Sequence, residues 1–292
     1  MIKSSPSRKV FVILNTIVLL SLIVVTLYPV WYVLCASFSN YDNLIAHDGF
    51  MFFSQGFTTV AYELLLDNPM VFYGLRNTAI IVVSALLLNM VMTILGAYFL
   101  TRKNVFWRDF IMMAIVFTMY FSGGLIPFYF TVKQLHLDNS LLALIIPSAI
   151  STYNLIVLRT AFAGVPDSLE ESARLDGAGH LSIIKNIYVP LTMPSIAVIV
   201  LYYFVTHWNS WFNATIFLRD RKMFPLQLVL REILIQNSTE EMLIGTGGDQ
   251  MDKASEQIKY ALIIVSIIPV LCLYPAIQKF FVKGVMIGAV KG

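Results

Sequence analysis

Charged side chains are scarce in this 292-residue chain, which is 13% charged and 58% hydrophobic. A soluble domain of ordinary composition carries about a quarter charged residues. The deficit indicates an integral membrane protein before any motif is considered. The formal net charge of +3 is too small to suggest a nucleic-acid partner.

Cysteines and nucleotide-binding motifs are also lacking. The two cysteines, Cys35 and Cys272, lie in apolar runs, which favours small buried hydrophobes over a disulfide. No phosphate loop of the Gly-x-x-x-x-Gly-Lys-Ser/Thr type is present, so the chain is not expected to bind ATP or another cofactor itself. An intramembrane hydrolase is disfavoured because no apolar run pairs Ser or Asp with a His in catalytic spacing. We therefore expect a non-catalytic subunit.

Six apolar stretches are long enough to cross a bilayer, which takes about 20 residues each. The first is too long for a signal-peptide core and lacks a cleavage pattern, so it is predicted to be a retained anchor. We expect an all-α integral membrane fold with six transmembrane helices in one domain covering residues 1–292. The predicted spans lie near residues 10–38, 77–100, 110–131, 140–158, 191–218 and 260–279.

The distribution of basic residues predicts the orientation in the membrane. With both termini inside, the inner segments hold twelve Lys and Arg, the outer segment 39–75 holds none, and 132–139 holds only Lys133. The outer segment 219–259 holds six basic and seven acidic residues, which weakens the pattern, and it is long enough to fold as an external cap. The balance predicts two cytoplasmic termini and a cytoplasmic segment 166–190.

None of the six predicted spans has Asp, Glu, Lys or Arg in its interior. Such charges are costly in lipid, at roughly 2.5–3.5 kcal/mol or more, and mark ion pathways where they occur. His207 is the remaining candidate relay, and we interpret it as a satisfied histidine near the outer end of its span. The energy for transport is then expected from an ATPase partner, with an ion-coupled secondary carrier as the alternative.

The segment 166–190 is a polar, helix-forming island between two apolar runs. Pro166 suits a first helical turn, because its φ is preset and it has no N–H to satisfy. Ser168 with Glu171, or Asp167 with Glu170, can form a capping box. A short acidic helix is therefore predicted.

Two glycines and a proline punctuate the rest of this island. Gly177 and Gly179 can end the first helix with a positive-φ turn, and a second helix is predicted over His180–Val189 until Pro190 breaks it. The resulting helix–turn–helix can seat one helix in a partner's groove while the other packs on the spans. The alternative is an amphipathic loop on the lipid surface, which the acidic character of residues 166–178 disfavours.

The spacing of Glu171, Ala173, Gly177, Ile187 and Pro190 resembles the EAA loop of ABC-importer permeases, the element that docks on an ATPase subunit. Ser172 stands where that family usually has Ala, and Val189 where Leu is common. Across the whole chain the sequence is similar to the maltose-type carbohydrate-importer permeases, nearest the oligosaccharide and alginate-type second-permease branch. The other segments that carry this resemblance are 121–127, 208–213, 224–227 and 288–292.

The resemblance implies a type I importer permease in a bacterial cytoplasmic membrane. Its partners would be a homologous second permease, two ATP-binding cassette subunits that use ATP and Mg, an extracytoplasmic solute-binding protein, membrane lipid and an oligosaccharide. It also implies that the tail 284–292 reaches toward the ATPase interface. The residues it assigns to ATPase coupling are Glu170, Glu171, Ala173, Asp176, Gly177 and Ala178.

Saccharides are bound by amides, hydroxyls and flat aromatic faces, which four residues of the predicted spans could supply. Tyr153 and Asn154 lie in the fourth span, and Asn209 and Asn213 are spaced to share one face of the fifth. The break at 123–127 can open backbone groups to the same pathway. Helix packing or an interfacial aromatic belt is the alternative for the tyrosine.

Overall fold

A computed structural model describes residues 6–236 and 258–273, together with Pro275 and Gln278. The described residues are predominantly helical, and their β-structure is limited to an isolated bridge between Ser39 and Phe57. The all-α class predicted from the sequence is confirmed. The predicted tail contact at 284–292 and residues 237–257 of the predicted external cap lie outside the described residues.

The chain divides into two compact units, the first formed by residues 1–69 and 232–268. Its helices are α1 (Pro6–Ser37), α2 (Tyr41–Ala46) and α3 (Val60–Asp67), with the first part of α15 (Ile258–Leu273). A small core forms around Cys35, Ala36, Leu44 and Met51. Cys35 is a buried free thiol, as expected, whereas the free Cys272 is exposed and that part of the expectation is wrong.

The second unit comprises residues 70–231 and 269–292 and holds the predicted functional segments. Apolar side chains of α4, α8, the 180–191 helix and α12 form its main core, which includes Leu158, Phe162, Ile183 and Ile199. Its described helices are α4 (Pro69–Thr101), α5 (Arg108–Tyr120), α6 (Leu125–Gln134), α7 (Leu142–Ile145), α8 (Thr152–Ala163), α9 (Asp167–Leu175), α10 (His180–Ile183), α11 (Val189–Leu191), α12 (Met193–Trp208), α13 (Phe212–Phe217) and the first part of α14 (Leu226–Gln236).

Polar side chains connect the apolar helices of this second unit. His207 is buried and its Nε2 lies 2.8 Å from Asn89 Oδ1 on α4. Thr93 on α4 lies 2.8 Å from the hydroxyl of Tyr203 on α12, which also accepts a hydrogen bond from the backbone of Ser151. Such bonds hold membrane helices together. His207 is therefore satisfied, as predicted, but it is a packing residue inside the unit.

The predicted spans differ in their continuity. Within the described residues, Ser7–Ser37 and Pro69–Thr101 are each long and apolar enough to cross a membrane. Two bent pairs bring the total to as many as four: α5 with α6, at 118°, and the 180–191 helix with α12, at 88°. The predicted count of six remains a prediction, and α15 is a shorter apolar helix that overlaps the predicted sixth span.

Three predicted spans are interrupted rather than straight. The 110–131 stretch breaks at Gly123-Gly124, where Gly124 has a φ of +87° that favours glycine. The 140–158 stretch breaks near Pro147, which has no N–H for a helical bond. The 191–218 stretch breaks between Trp208 and Phe212. At the break near Pro147 a side chain satisfies one of the freed carbonyls, because Asn89 donates a hydrogen bond to the backbone oxygen of Ser148.

Candidate functional site

The acidic helix forms as predicted, as α9, but it begins differently. Pro166 is the residue before the first turn, and no side chain caps the helix, so both predicted capping boxes are wrong. The helix starts at Asp167, so Asp167 and Ser168 lie inside its first turn and neither stands at the capping position, and Glu170 is buried and accepts hydrogen bonds from other groups. Its carboxylate is therefore not available to the start of its own helix.

Glu170 is the centre of a buried charge cluster. Its carboxylate pairs with the guanidinium of Arg102 and accepts a hydrogen bond from Arg174 Nε at 3.0 Å. The other oxygen accepts a hydrogen bond from the Tyr188 hydroxyl at 2.7 Å. Because two cations and a hydroxyl surround one carboxylate, the desolvated charges are balanced by direct contacts. The cluster joins α9 to α4 and to the helix that follows the turn.

Two further contacts fix the partners of Glu170. Arg102 Nη1 donates to the hydroxyl of Tyr98 at 3.2 Å, and its guanidinium lies 5.3 Å from the centre of that ring. The same hydroxyl lies 2.9 Å from Nδ1 of His180. Burial raises the pKa of the Tyr188 hydroxyl above its ordinary value, so this group stays a proton donor at neutral pH. The C-terminal end of α4 is therefore connected to both helices of the island.

A Schellman motif ends α9. The N–H of Gly177 donates to the carbonyl of Arg174 at 3.0 Å, and the N–H of Ala178 donates to that of Ala173 at 2.9 Å. Gly177 has a φ of +81°, as the sequence predicted, because only glycine adopts this conformation without strain. Gly179 has a φ of −75° and precedes α10, so its predicted part in the positive-φ turn is wrong.

The second helix of the island is longer than predicted. It starts at His180, passes through a π-helical turn over Ile184–Tyr188, and continues through Pro190 to Leu191. The wider π turn changes the hydrogen-bond register just before Pro190. In a regular α-helix the proline would remove a backbone hydrogen bond and its ring would clash with the preceding turn. Pro190 therefore does not break the helix, and the sharp bend follows at Thr192.

The remaining residues predicted to couple to an ATPase divide into exposed and packed positions. Glu171, Asp176 and Gly177 are exposed, whereas Ala173 and Ala178 are half-buried against the main core. Two leucines at the same end are also exposed, with Leu175 at 90% and Leu181 at 74% of their surface. In the described residues nothing covers this mixed acidic and apolar face. It is a surface of the kind that a protein partner buries.

A cavity of about 650 Å³ lies beside α9, between the end of α4 and the start of the island. Sequence reasoning overlooked its most important residues, Arg102 and Tyr188. In the sequence Arg102 ends an apolar run and counts only toward the orientation of the chain, and no pattern singles out Tyr188. Lys103 at the rim pairs with Asp167, but both side chains are exposed and such pairs contribute little. The basic residues that line the cavity are Arg102, Lys103, Arg108, Arg159 and Arg174.

Two of the predicted pathway residues are neighbours at the start of α8 but differ in exposure. Tyr153 is 53% exposed and its ring lies 6.0 Å from that of Tyr202 on α12. Asn154 is buried, at 4% exposure. The exposed pair Tyr153 and Tyr202 offers a surface for a flat ligand, and Tyr202 was not predicted.

The other two pathway residues do not share one helix face. Asn209 follows the last residue of α12, and its side-chain amide donates to the carbonyl of Val205 at 3.0 Å. Asn213 lies in α13 after the break. The prediction of a common face is wrong because the helix ends between them. Among the described residues, no group of His, Cys, Asp and Glu side chains is arranged to hold a metal ion.

Comparisons with known proteins agree with this geometry. Residues 92–287 match the family model described as the binding-protein-dependent transport system inner membrane component. The match includes α9, the glycine turn and most of the second unit. The chain belongs to this family.

Individual relatives cover nearly the whole chain. The polygalacturonan/rhamnogalacturonan transport system permease protein YtcP of Bacillus subtilis is 38% identical over 94% of this chain and 96% of its own length. Protein LplC of the same organism is 36% identical, covering 99% of this chain and 97% of that protein. A bacterial ABC transporter involved in the import of the acidic polysaccharide alginate has a chain that matches with a TM-score of 0.87 and 28% identity, covering 96% of this chain and 100% of that one.

This membership decides between the interpretations left open by the sequence. The chain is a permease subunit of an ABC importer, and the secondary carrier is set aside. The resemblance to sugar and oligosaccharide permeases is confirmed. The family is one of transport components rather than enzymes.

Proposed function

We propose that this permease imports oligosaccharides or polysaccharide fragments and receives the energy for transport through α9. The observation that carries the proposal is the Glu170 cluster, which fastens a short helix with an exposed acidic face to the end of a membrane-length helix. The relatives that act on polygalacturonan, rhamnogalacturonan and alginate support the substrate class. The exposed aromatic pair Tyr153 and Tyr202 is compatible with it.

In this proposal α9 docks in a groove of an ATPase subunit. Glu171 and Asp176 face the partner as charges, and Leu175 supplies apolar contact. Glu170 acts from inside by holding α9 on α4, while the packing of Ala173 and Ala178 and the turn at Gly177 fix the angle between the two helices. A movement of the ATPase would then pass to α4 as a rigid body, because the connection has few free torsions.

The complete importer would contain a homologous second permease, two ATP-binding cassette subunits and an extracytoplasmic solute-binding protein. ATP and Mg would bind to the ATPase subunits only. We place the chain in the bacterial inner membrane as a single six-span domain with both termini and the 166–190 island in the cytoplasm. The balance of basic residues supports this orientation.

The saccharide path is proposed to pass Tyr153, Asn154, Asn209 and Asn213. Asn209 and Asn213 lie on either side of a helix break, where backbone groups can also contribute hydrogen bonds. The break at Gly124 supplies a second place with free backbone groups. Broken helices of this kind are where membrane transporters bind polar solutes.

Reconstitution of the importer into proteoliposomes tests the proposal. ATP inside the vesicles and the solute-binding protein outside should be sufficient for uptake of an oligosaccharide, and an ionophore that dissipates ion gradients should leave it unchanged. Removal of the ATPase subunits is the control. Uptake that follows an imposed ion gradient without ATP would contradict the proposal.

The orientation has its own experiment. A single cysteine at the exposed position Asn43, in a Cys35→Ala, Cys272→Ala background, should react with an impermeant thiol reagent applied to intact cells. A cysteine at Ser172 on α9 is the matched control and should react only after the membrane is opened. The opposite pattern would reverse the topology.

A further inference from the structure

The end of α4 opposite to the coupling site borders a second cavity, of about 520 Å³. Its wall combines an aromatic ring, amides, a hydroxyl and charges of both signs. The polar residues among those that line it are Tyr73, Arg76, Asn77, Asn139, Ser140, Asp220 and Lys222. A volume of this size is in the range of small-molecule sites. In the proposed orientation this cavity faces the outside of the cell.

Buried amides hold the frame of this cavity. Asn77 on α4 is buried and donates to the carbonyls of Lys222 and Phe224, at 2.7 and 3.2 Å. The side-chain oxygen of Asn139 accepts hydrogen bonds from the N–H groups of Arg219 and Asp220, at 3.0 and 3.2 Å. The loop that presents the charges is therefore fixed on two sides, which favours ligand binding over a mobile surface.

Two cations of the cavity have no charge partner in the described part of the chain. The guanidinium of Arg76 and the ammonium of Lys222 make no ion pair or hydrogen bond there, whereas Asp220 accepts a bond from the backbone N–H of residue 222. Both side chains are exposed. The inner end of α4 shows the opposite arrangement, since Arg102 there is paired with a buried carboxylate.

The basic residues in this loop also contradict the orientation rule. Three of the four residues 219–222 are basic, although the segment is predicted to lie outside, where transporters usually avoid Lys and Arg. Of these three residues Lys222 lines the cavity, and an anionic ligand there would supply its counter-charge. The predicted saccharide path offers no other site for an anion. Its residues Tyr153, Asn154, Asn209 and Asn213 are uncharged, and the predicted spans have no interior cation.

We propose that this outer cavity binds an acidic saccharide, with a carboxylate of one sugar ring paired to Arg76 and Lys222. The ring of Tyr73 would pack against the sugar face, and the hydroxyl of Ser140 and the carboxylate of Asp220 would meet its hydroxyl groups. The acidic polymers in the descriptions of two relatives make a uronate the best candidate. The inference rests on the proposed function and orientation, and it adds a selectivity site ahead of the uncharged path.

The test compares trigalacturonate with its fully methyl-esterified, uncharged form in proteoliposomes that hold the complete importer. The double variant Arg76→Gln, Lys222→Gln should reduce uptake of the acid by roughly tenfold and leave uptake of the ester unchanged. High salt should weaken wild-type uptake of the acid and have little effect on the variant. Lys133→Gln, an exposed lysine outside this cavity, is the matched control and should behave as wild type.

Three results would overturn the inference. Equal loss of uptake of trigalacturonate and of its ester would indicate a structural defect. In that case Arg76→Lys, which keeps the charge, would fail to restore uptake of the acid selectively. Weaker binding of the unliganded solute-binding protein to the double variant would assign the cations to a protein partner. If the wild-type importer took up neutral oligosaccharides but not trigalacturonate, the acidic ligand would be rejected, while the proposed ATP-driven import would stand.

Discussion

The two ends of α4 use basic residues in opposite ways. At one end the half-buried Arg102 pairs with the buried Glu170, and Arg174 and Tyr188 complete the cluster. At the other end Arg76 is exposed and has no charge partner among the described residues. The helix has 33 residues, which corresponds to a length of about 50 Å, so the two sites are separated by roughly a membrane thickness.

The difference separates a structural charge from a ligand-facing one. A buried cluster with balanced charges holds the helices it joins in a fixed arrangement, because breaking it leaves a desolvated charge without a partner. An exposed cation keeps its hydration until a ligand arrives and then acts mainly on selectivity and rate. The same comparison applies inside α9, where Glu170 and Glu171 are adjacent in sequence but only the first is buried.

The largest expected effect separates these two glutamates. Glu170→Gln should lower the stability of the permease by about 3 kcal/mol or more, because Arg102 loses its buried counter-charge. Transport should be lost with it. Glu171→Gln should leave thermal stability within about 0.5 kcal/mol of wild type and weaken ATPase association instead. Thermal unfolding of the purified complex and ATPase co-purification measure the two effects, and equal destabilisation by both variants would remove the distinction.

The next largest effect is expected at Gly177, with Gly179 as its control. Gly177→Val forces a side chain into a φ of +81° and should cost about 2 kcal/mol at the turn, which misplaces α9. Transport and substrate-stimulated ATP hydrolysis should be abolished while the protein stays in the membrane. Gly179→Val is the control, since its φ is −75° and a Cβ there meets nothing within 4 Å. Wild-type ATPase activity with Gly177→Val would exclude a coupling role for the turn.

Sequence patterns predicted the α9 turn well because its determinants are local. The positive φ of Gly177 and the acidic composition of α9 both follow from neighbouring residues. Two of the three partners of Glu170 were not predictable, because Arg102 is 68 residues away on α4 and Tyr188 is 18 residues away, whereas Arg174 is an ordinary i,i+4 neighbour on α9. No spacing rule connects positions that only tertiary packing brings together. The Asp167–Glu170 capping box failed partly for this reason, since the tertiary partners bind the same carboxylate.

Tyr188→Phe should have an intermediate effect. It removes one hydrogen bond to the Glu170 carboxylate and leaves both arginine contacts, so a loss of about 1.5 kcal/mol is expected. Thermal unfolding at neutral pH measures it. Arg159→Gln, on the wall of the same cavity but outside the Glu170 cluster, is the control, and a comparable loss there would assign the effect to the cavity as a whole.

The same variant tests the pKa of Tyr188. Burial raises this pKa above the ordinary tyrosine value of 10.0, so the unfolded chain loses the proton first as the pH increases. The contribution of Tyr188 to stability is complete below about pH 10 and declines above it. The stability difference between wild type and Tyr188→Phe should therefore shrink only above that pH. A difference that already shrinks between pH 7 and 9 would contradict the burial of the hydroxyl.

The smallest effects are expected at the pathway amides. Asn209→Leu and Asn213→Leu each remove hydrogen bonds worth about 0.5–1.5 kcal/mol, so uptake should fall up to roughly tenfold while assembly and basal ATPase activity persist. Because the helix break separates the two residues, their effects on uptake should be nearly additive. Unchanged uptake in the double variant would move the path to the partner permease. Reduced complex yield would assign both amides to packing.

The interrupted spans show a second limit of the sequence. Hydropathy finds apolar stretches of sufficient length, and it found α1 and α4. It does not register the breaks after Tyr120 and Trp208, because a few small or polar residues hardly change an average over about 20 positions. The glycine pair at 123–124 was the one signal that identified a break in advance. Side-chain contacts such as Asn89 to Ser148 stabilise another, at Pro147, and are visible only in three dimensions.

A double-mutant cycle on Arg102 and Glu170 tests the central claim most directly. Arg102→Gln, Glu170→Gln and the double variant would be compared by thermal unfolding and by substrate-stimulated ATP hydrolysis of the reconstituted importer. The buried pair predicts a coupling free energy of about 1.5–3 kcal/mol, with the double variant closer to wild type in stability than the sum of the single variants. Additive losses, with stimulation of ATP hydrolysis intact in each variant, would show that the cluster does not hold the coupling helix.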